Sequence, residues 1–205
     1  MHYNYVEWMK RIRSRSDMSS YLYHLTKSNN NWRNEIDVLI KILNDRKLIG
    51  STTETGYIIG FNKAVCFQDV PPYSLSQNCF HEQLLRDKYK LSKIRYKAVG
   101  LAFGKQYVYK KGGRPVLYER TEIAKKILPK EEWWRIVDFD LSNDDSITDW
   151  THEREWRLKG DFDFELNSTY VVLTHNEVYK YFIAKAGSYI VNNIAGIIVL
   201  DPVLS

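Results

Sequence analysis

The spacing of apolar residues along the chain switches between a helical and an extended period. Ile36, Leu39, Ile40 and Leu43 recur at helical spacing within residues 31–48, and the asparagines before them can cap the first turn. Comparable patterns predict further helices at 4–14, 74–93, 121–134 and 176–187. Short apolar or alternating runs predict strands at 20–26, 64–68, 99–104, 114–118, 155–160, 169–173 and 196–200.

The order of these elements indicates the fold class. Strands and helices follow one another without a regular βαβ alternation, which predicts an α+β fold with a curved mixed or antiparallel sheet and flanking helices. The chain has no internal repeat and no low-complexity linker. We therefore expect a single domain over residues 1–205, with residues 1–18 as an N-terminal helical extension.

Composition and charge narrow the possible partners. Hydrophobic residues make up 44% and charged residues 27%, as in globular rather than disordered chains. The net charge of +5 favours an anionic partner such as a nucleic acid, and the 15 Tyr and 6 Trp offer rings for stacking. Two cysteines make neither a disulfide framework nor a four-ligand zinc site, and no run approaches the ~20 apolar residues of a membrane span. These features predict a cytoplasmic protein without a membrane partner.

The stretch DWTHEREWR concentrates acids, bases and tryptophans. If residues 153–158 form a strand, Glu153, Glu155 and Arg157 lie on one face, and Arg154, Trp156 and Leu158 lie on the other. Carboxylates two residues apart on one face repel each other unless a cation or a hydroxyl-rich ligand pairs with them. The stretch is therefore either a salt-bridged strand or a strand that presents an acid to a ligand.

Four other positions are candidates for ligand binding. His24 and Thr26 share one face of the first predicted strand, although a histidine satisfied by backbone is the more common case. Ser51 opens the hydroxyl-rich loop STTETGY, which suits a phosphate or ribose but is also ordinary loop composition. Arg114 follows Gly112-Gly113, where it can pair with a phosphate or simply sit exposed on a hairpin.

Several enzyme classes can be tested directly against the sequence. His152-Glu153 begins like the zinc motif HExxH, but Trp156 stands where the second histidine belongs. No P-loop and no GxGxxG pattern occurs. Asp149 followed by Glu155-Trp156-Arg157 is similar to the acid and acid-x-Lys pattern of metal-dependent nucleases, with Arg where Lys is expected. A nuclease remains an alternative, and no bound metal is expected.

Taken in chain order, these segments resemble an ADP-ribosyltransferase. The YHLT segment, the CFQDVPPYS segment and the EREWR segment follow the order of that superfamily's first-strand His, middle region and late-strand Glu. The likeness is closest to the DarT-like and AbiGi-like proteins of bacterial toxin–antitoxin and phage-defence systems. AVCF, GLAF and PVLY match the AbiGi-like strands, so the resemblance covers about residues 20–160 as short islands.

The resemblance implies a role for each candidate residue. His24 would bind the adenosine-side ribose or the pyrophosphate of NAD, with Thr26 and Ser51 in support. Glu155, or Glu153 in its place, would bind the nicotinamide ribose and stabilise the oxocarbenium-like state. The remaining candidates are Tyr57 and Tyr73 for stacking on the nicotinamide, and Arg114 for the phosphates.

The implied activity is NAD-dependent ADP-ribosyl transfer by a toxin or antiviral defence effector, with RNA or DNA as the expected acceptor and a cognate antitoxin as a further partner. One departure is that Gln68-Asp69 stands where DarT-like enzymes carry an Arg. The AbiGi-like group has also been labelled as antitoxin. A non-catalytic nucleic-acid-binding or antitoxin-like module on the same fold therefore stays open beside the enzyme.

Overall fold

The computed structural model describes residues 2–26, 31–90 and 97–204. The α-helices in these ranges are α1 (Tyr5–Arg13), α2 (Trp32–Asp45), α3 (Pro72–Tyr89), α4 (Lys105–Lys110), α5 (Thr121–Ile127), α6 (Asn176–Asn193) and α7 (Asp201–Leu204). The strands are β1 (Tyr21–Leu25), β2 (Lys47–Leu48), β3 (Ala64–Gln68), β4 (Gly100–Gly104), β5 (Arg114–Pro115), β6 (Leu117–Tyr118), β7 (Ile136–Val137), β8 (Glu155–Lys159), β9 (Phe162–Asp163), β10 (Thr169–Leu173) and β11 (Gly196–Val199). Short 3₁₀ helices occupy Lys130–Arg135, Thr151–Glu153 and Leu166–Ser168.

The chain divides into two compact units, each built from separate segments. Unit 1 comprises Met1–Arg46, Val70–Lys105 and Phe164–Ser205, and unit 2 comprises Lys47–Asp69 and Gln106–Asp163. The fold is mixed α/β with a mixed sheet and flanking helices, as the order of predicted elements indicated. The single domain over residues 1–205 stays a prediction.

The strands of unit 1 lie in the order β11-β10-β4-β1. β10 runs parallel to β11 and antiparallel to β4, which is also antiparallel to β1. Tyr23, Ala102 and Val172 pack with Leu75 and Cys79 of α3 in one apolar cluster. Tyr21 and Leu25 pack against the same cluster, as the alternation in the first strand predicted.

The predicted helix at 31–48 forms, but it is shorter than predicted. Asn31 caps α2, because its side chain accepts a hydrogen bond from the backbone N–H of Arg33. Arg46 then adopts a left-handed conformation with φ of 51°, which ends the helix. Lys47 and the leucine after it instead form β2, so Gly50-Ser51 is not the helix stop.

Two other predicted helices differ at their ends. The 121–134 helix is α5 followed by a separate 3₁₀ turn, because Pro129 cannot continue the ladder of hydrogen bonds. α6 runs past residue 187 to Asn193 across a kink at Gly187, whose φ is 77°. α3 ends at Tyr89, and positions 91–93 of its prediction lie outside the described residues.

The strands of unit 2 pair in both antiparallel and parallel directions. β8 lies between β3 and β5 and is antiparallel to both. β2 pairs antiparallel with β9, and β6 pairs parallel with β7. Ile58, Ala64 and Trp134 form a buried apolar cluster, against which Cys66 packs. Among the residues that the structure describes, no helix is both long and apolar enough to span a bilayer.

Candidate functional site

The backbone before β8 decides which acid stands on the strand. Residues Thr151–Glu153 form a 3₁₀ turn, whose first N–H donates to Asp149 Oδ1 over 2.8 Å. Arg154 then takes a left-handed conformation with φ of 46°, and the strand begins at Glu155. The strand predicted at 155–160 is therefore confirmed, whereas an earlier start at residue 153 is not, and Glu153 is not part of the strand face.

Glu155 and Arg157 form a buried ion pair on one face of β8. Arg157 Nε donates to Glu155 Oε1 at 2.8 Å, and Nη2 donates to Oε2 at 3.3 Å. The Glu155 side chain is only 8% exposed, and the Arg157 side chain is 3% exposed. This two-point contact fixes the orientation of the carboxylate. The same-face placement of the two residues agrees with the prediction from their spacing.

The guanidinium of Arg157 has a partner for each of its five N–H groups. Besides Glu155, it donates from Nη1 to the carbonyls of Trp134 and Ile136, each at 2.9 Å, and from Nη2 to that of Tyr57 at 3.2 Å. Burial lowers the pKa of Arg157, but the Glu155 carboxylate and Cys66 outweigh burial and raise it overall. Arg157 is therefore a fixed cation whose hydrogen bonds connect β8 to the loop at Tyr57, to the 3₁₀ helix at Trp134 and to β7 at Ile136.

The backbone at Glu155 is fixed as well. Its N–H donates to Tyr118 Oη at 2.6 Å, and its carbonyl accepts from the N–H of Val116 at 3.1 Å. Burial raises the pKa of Tyr118 to about 12, so this phenol stays protonated at neutral pH. One residue on, Trp156 Nε1 donates to Asp69 Oδ2 at 3.2 Å. Hydrogen bonds with Tyr118 and Val116 at Glu155, and with Asp69 at Trp156, thus fix the start of β8.

β3 places two more polar side chains beside this pair. Cys66 lies opposite Arg157 in the antiparallel register, and Gln68 lies opposite Glu155. Directly opposed residues of antiparallel strands share a face, so all four side chains lie together. Gln68 is 6% exposed, and its Oε1 has no hydrogen-bond partner among the described residues. The cluster therefore contains a fixed acid, a fixed cation, a thiol and an amide with unused acceptor capacity.

The Cys66 residue keeps some exposed surface, but its thiol is a poor nucleophile. Burial raises its pKa well above the ordinary value, and the neighbouring Glu155 carboxylate raises it further. Because only the thiolate attacks, cysteine-based covalent catalysis at neutral pH is disfavoured here. We therefore take the acid, rather than the thiol, as the candidate reactive group of the cluster.

Both cysteines should therefore be unreactive in the native protein. Burial raises the pKa of Cys79 from 9.0 to about 12, so roughly one thiol in ten thousand is ionised at pH 8. We expect Ellman's reagent to label neither cysteine at pH 8 and both in urea. Rapid labelling of either thiol in the native protein would contradict this expectation. Because a raised pKa keeps the native thiol protonated, the stability gained from Cys79 is lost as pH rises from about 9 to 12.

The predicted ligand-binding residues of unit 2 other than Glu155 are Ser51, Tyr57 and Arg114, and each makes its own set of contacts. Ser51 forms a β-bridge with Ala64 through its backbone. Tyr57 is 86% exposed, and its backbone carbonyl rather than its ring contacts Arg157. Arg114 lies 4.1 Å above the Tyr109 ring and donates to two backbone carbonyls. Within this unit Arg157 bonds to both the Glu155 carboxylate and the backbone carbonyl of Tyr57, and none of the described contacts joins Ser51 or Arg114 to Glu155.

The other candidates lie in unit 1. His24 stands in β1 opposite Leu101 of β4. The hydroxyl of Thr26 is buried and donates to the carbonyl of Val99 at 2.9 Å, so its proton is already used. Tyr73 is the second residue of α3 and is mostly exposed. The roles of these residues stay predictions of the resemblance.

Sequence reasoning missed much of the cluster. The sequence pattern placed Arg157 on the face of Glu155 without identifying it as the partner of that acid, and it gave Tyr118 and Cys66 no role. The alternation in VCFQ and EWR was the signal that could have grouped Cys66 and Gln68 with Glu155 and Arg157, but only if the pairing of the two strands were known. Across the described ranges, no group of three or more His, Cys, Asp or Glu side chains is placed to hold a metal ion.

Comparisons of the chain with protein-family models, with curated proteins and with solved structures found no match in any of the three. The ADP-ribosyltransferase resemblance therefore rests on the short motifs alone. Any function drawn from it is a proposal that the geometry of unit 2 can support or weaken.

Proposed function

We propose that the protein is an NAD-dependent ADP-ribosyltransferase that acts as a toxin or antiviral defence effector on nucleic acid, with Glu155 as its key acid. The observation that carries this proposal is the fixed carboxylate of Glu155, held at the start of β8 by Arg157 over 2.8 Å. An acid that stabilises a developing charge is most effective when its orientation is fixed before the reaction. Of the two acids that the motif left open, the rigid placement favours Glu155 over Glu153.

The carboxylate keeps capacity for a substrate. An ionised carboxylate offers about four acceptor positions, of which Arg157 occupies two and the Cys66 thiol one more. A ribose hydroxyl can use a remaining position, so that Glu155 orients the nicotinamide-side ribose. The unused Gln68 Oε1 on the same sheet face is a second acceptor for a sugar hydroxyl. These contacts would position C1′ of that ribose for displacement.

The chemical step breaks one bond and forms another. The bond between ribose C1′ and the nicotinamide nitrogen breaks, and its electron pair leaves with nicotinamide. The acceptor base then forms a bond to C1′ and releases a proton to solvent or to a nearby base. Because Arg157 partly neutralises Glu155, the acid acts through hydrogen bonding to the ribose more than through its net charge.

A second candidate is a non-catalytic nucleic-acid-binding or antitoxin-like module. It is favoured by the closed geometry of the ion pair, since both carboxylate oxygens are bonded to Arg157 and the pair is almost fully buried. A pair of this kind can serve folding alone. Turnover of NAD separates this candidate from the enzyme.

The test uses the purified full chain and NAD carrying label on the adenylate phosphate. Separate pools of RNA, single-stranded DNA and cell protein serve as acceptors, and released nicotinamide is measured by chromatography. We expect label in a nucleic acid pool with an equal amount of free nicotinamide. NAD labelled in the nicotinamide ring is the matched control and should label no pool. Absence of both label and free nicotinamide would refute the transferase in favour of the binding module.

A further inference from the structure

We propose that a basic groove on unit 2 binds single-stranded nucleic acid, with Tyr109 as a stacking platform for a base. The groove encloses about 330 Å³. Its charged lining residues are Lys111, Arg114, Arg135, Lys159 and Glu132. This surface was not part of any motif found in the sequence, apart from Arg114.

The charge of the groove is strongly positive. Four cations face one carboxylate, and Glu132 already pairs with Arg135 at 3.4 Å. The Lys111 ammonium lies 5.1 Å from the centre of the Tyr107 ring. Lys159 is exposed at the end of β8. A polyanion is the partner that such a lining attracts, because each cation can neutralise a phosphate.

An aromatic platform adjoins these cations. The Arg114 guanidinium lies 4.1 Å from the centre of the Tyr109 ring and is held there by the carbonyls of Tyr109 at 2.9 Å and Gly113 at 2.7 Å. Tyr109 is nonetheless 51% exposed. Arg114 covers part of the ring, and the exposed part remains accessible to a flat ligand. Base stacking on such a ring is the usual contact of single-stranded nucleic acid.

The distribution of the cations favours a chain of phosphates. Lys111 follows α4, Arg114 lies on β5, Arg135 ends a 3₁₀ helix and Lys159 ends β8. Charges supplied by four separate elements suit successive phosphates of one strand. A duplex would bring the same phosphates but would keep its bases stacked inside and away from Tyr109. Single-stranded nucleic acid uses both features at once.

This inference deepens the proposed function, because it locates where the nucleic acid acceptor would bind, and that link rests on the proposed function. Binding itself does not depend on catalysis. The groove can therefore be tested by affinity alone.

The first test measures fluorescence anisotropy of a labelled single-stranded oligonucleotide of about 12 nucleotides with the full chain. The double variant Lys111→Gln/Lys159→Gln removes two groove charges, and the control Lys126→Gln/Lys180→Gln removes two exposed charges that do not line the groove. We expect the groove variant to bind about tenfold more weakly, and its salt dependence to fall by about 0.7 per lost phosphate contact. The control should bind like the wild type. Equal weakening in both variants would overturn the groove and leave only non-specific attraction.

The second test addresses the platform. Tyr109→Ala should weaken binding of the single strand about tenfold or more, whereas Tyr109→Phe keeps the ring and should bind normally. Equal affinity of Tyr109→Ala and the wild type, or equal binding of a duplex of the same sequence, would overturn the stacking role. Displacement of the oligonucleotide by stoichiometric NAD would assign the groove to the dinucleotide instead and overturn the inference.

The outcomes also separate this inference from the transferase. Specific oligonucleotide binding in a protein that never turns over NAD would support the groove and refute the enzyme. Label transfer to nucleic acid that is unchanged in Lys111→Gln/Lys159→Gln and Tyr109→Ala would refute the groove and leave the enzyme standing.

Discussion

Replacing Arg157 with methionine is expected to lower the free energy of unfolding by about 3–5 kcal/mol. Arg157 is the cation that contacts both oxygens of the buried Glu155 carboxylate. Its removal leaves that charge uncompensated and also removes the donors to the carbonyls of Tyr57, Trp134 and Ile136. Buried acceptors without donors add to the loss. The effect should be among the largest of any single substitution in unit 2.

Urea unfolding followed by tryptophan fluorescence measures this loss. The matched control is Arg114→Met, an arginine on the neighbouring strand and opposite Arg157 in the register. Because Arg114 is only half-buried and has no carboxylate partner among its described contacts, its loss should cost about 1 kcal/mol or less. Similar losses in the two variants would contradict a special role for the buried pair.

A double variant refines the explanation. Glu155→Met/Arg157→Met removes both charges, so no isolated ion remains in the interior. It should be more stable than Arg157→Met alone, although the three carbonyls still lack their donors. Stability no higher than that of the single variant would place the cost in the carbonyls rather than in the charge. The comparison thus separates the contribution of the Arg157 charge from that of its hydrogen bonds to the three carbonyls.

The sequence predicted those elements whose side chains alternate strictly or recur at helical spacing. β3 forms at the predicted residues 64–68, and α2 buries Ile36, Leu39 and Leu43 as its spacing indicated. The end of α2 was missed, because an arginine in a left-handed conformation carries no sequence signal of the kind that glycine gives. The two-residue strand that follows depends on pairing with β9, which lies over a hundred residues later.

The candidate site shows the same division between local and long-range information. The period of two placed Glu155 and Arg157 on one face, and this is confirmed. The choice between Glu153 and Glu155 depended on the backbone of Arg154, which breaks the strand before Glu155. The depth of burial depended on carbonyls contributed by Tyr57 and Trp134, far away in the sequence. Local patterns cannot report contacts that only the folded chain creates.

Glu155→Gln is expected to lower the rate of ADP-ribosyl transfer by about 100- to 1000-fold, the usual cost of removing one fixed stabilising group. The neutral amide keeps the size of the side chain but loses the strong acceptor for the ribose hydroxyl. It also leaves Arg157 buried without its counter-ion, so the fold itself should weaken by a few kcal/mol, about as for other broken buried pairs. Transfer must therefore be compared at equal folded fraction, measured by urea unfolding of both proteins.

Glu153→Gln is the matched control for this prediction. It makes the same change of charge two residues earlier, on the 3₁₀ turn and outside the strand face. Its transfer rate and stability should stay close to those of the wild type. Full transfer by folded Glu155→Gln would remove Glu155 from the chemistry and leave its pair with Arg157 as a structural contact. Loss of transfer in Glu153→Gln alone would move the acid to the turn, from which the Glu153 carboxylate also raises the pKa of Cys66.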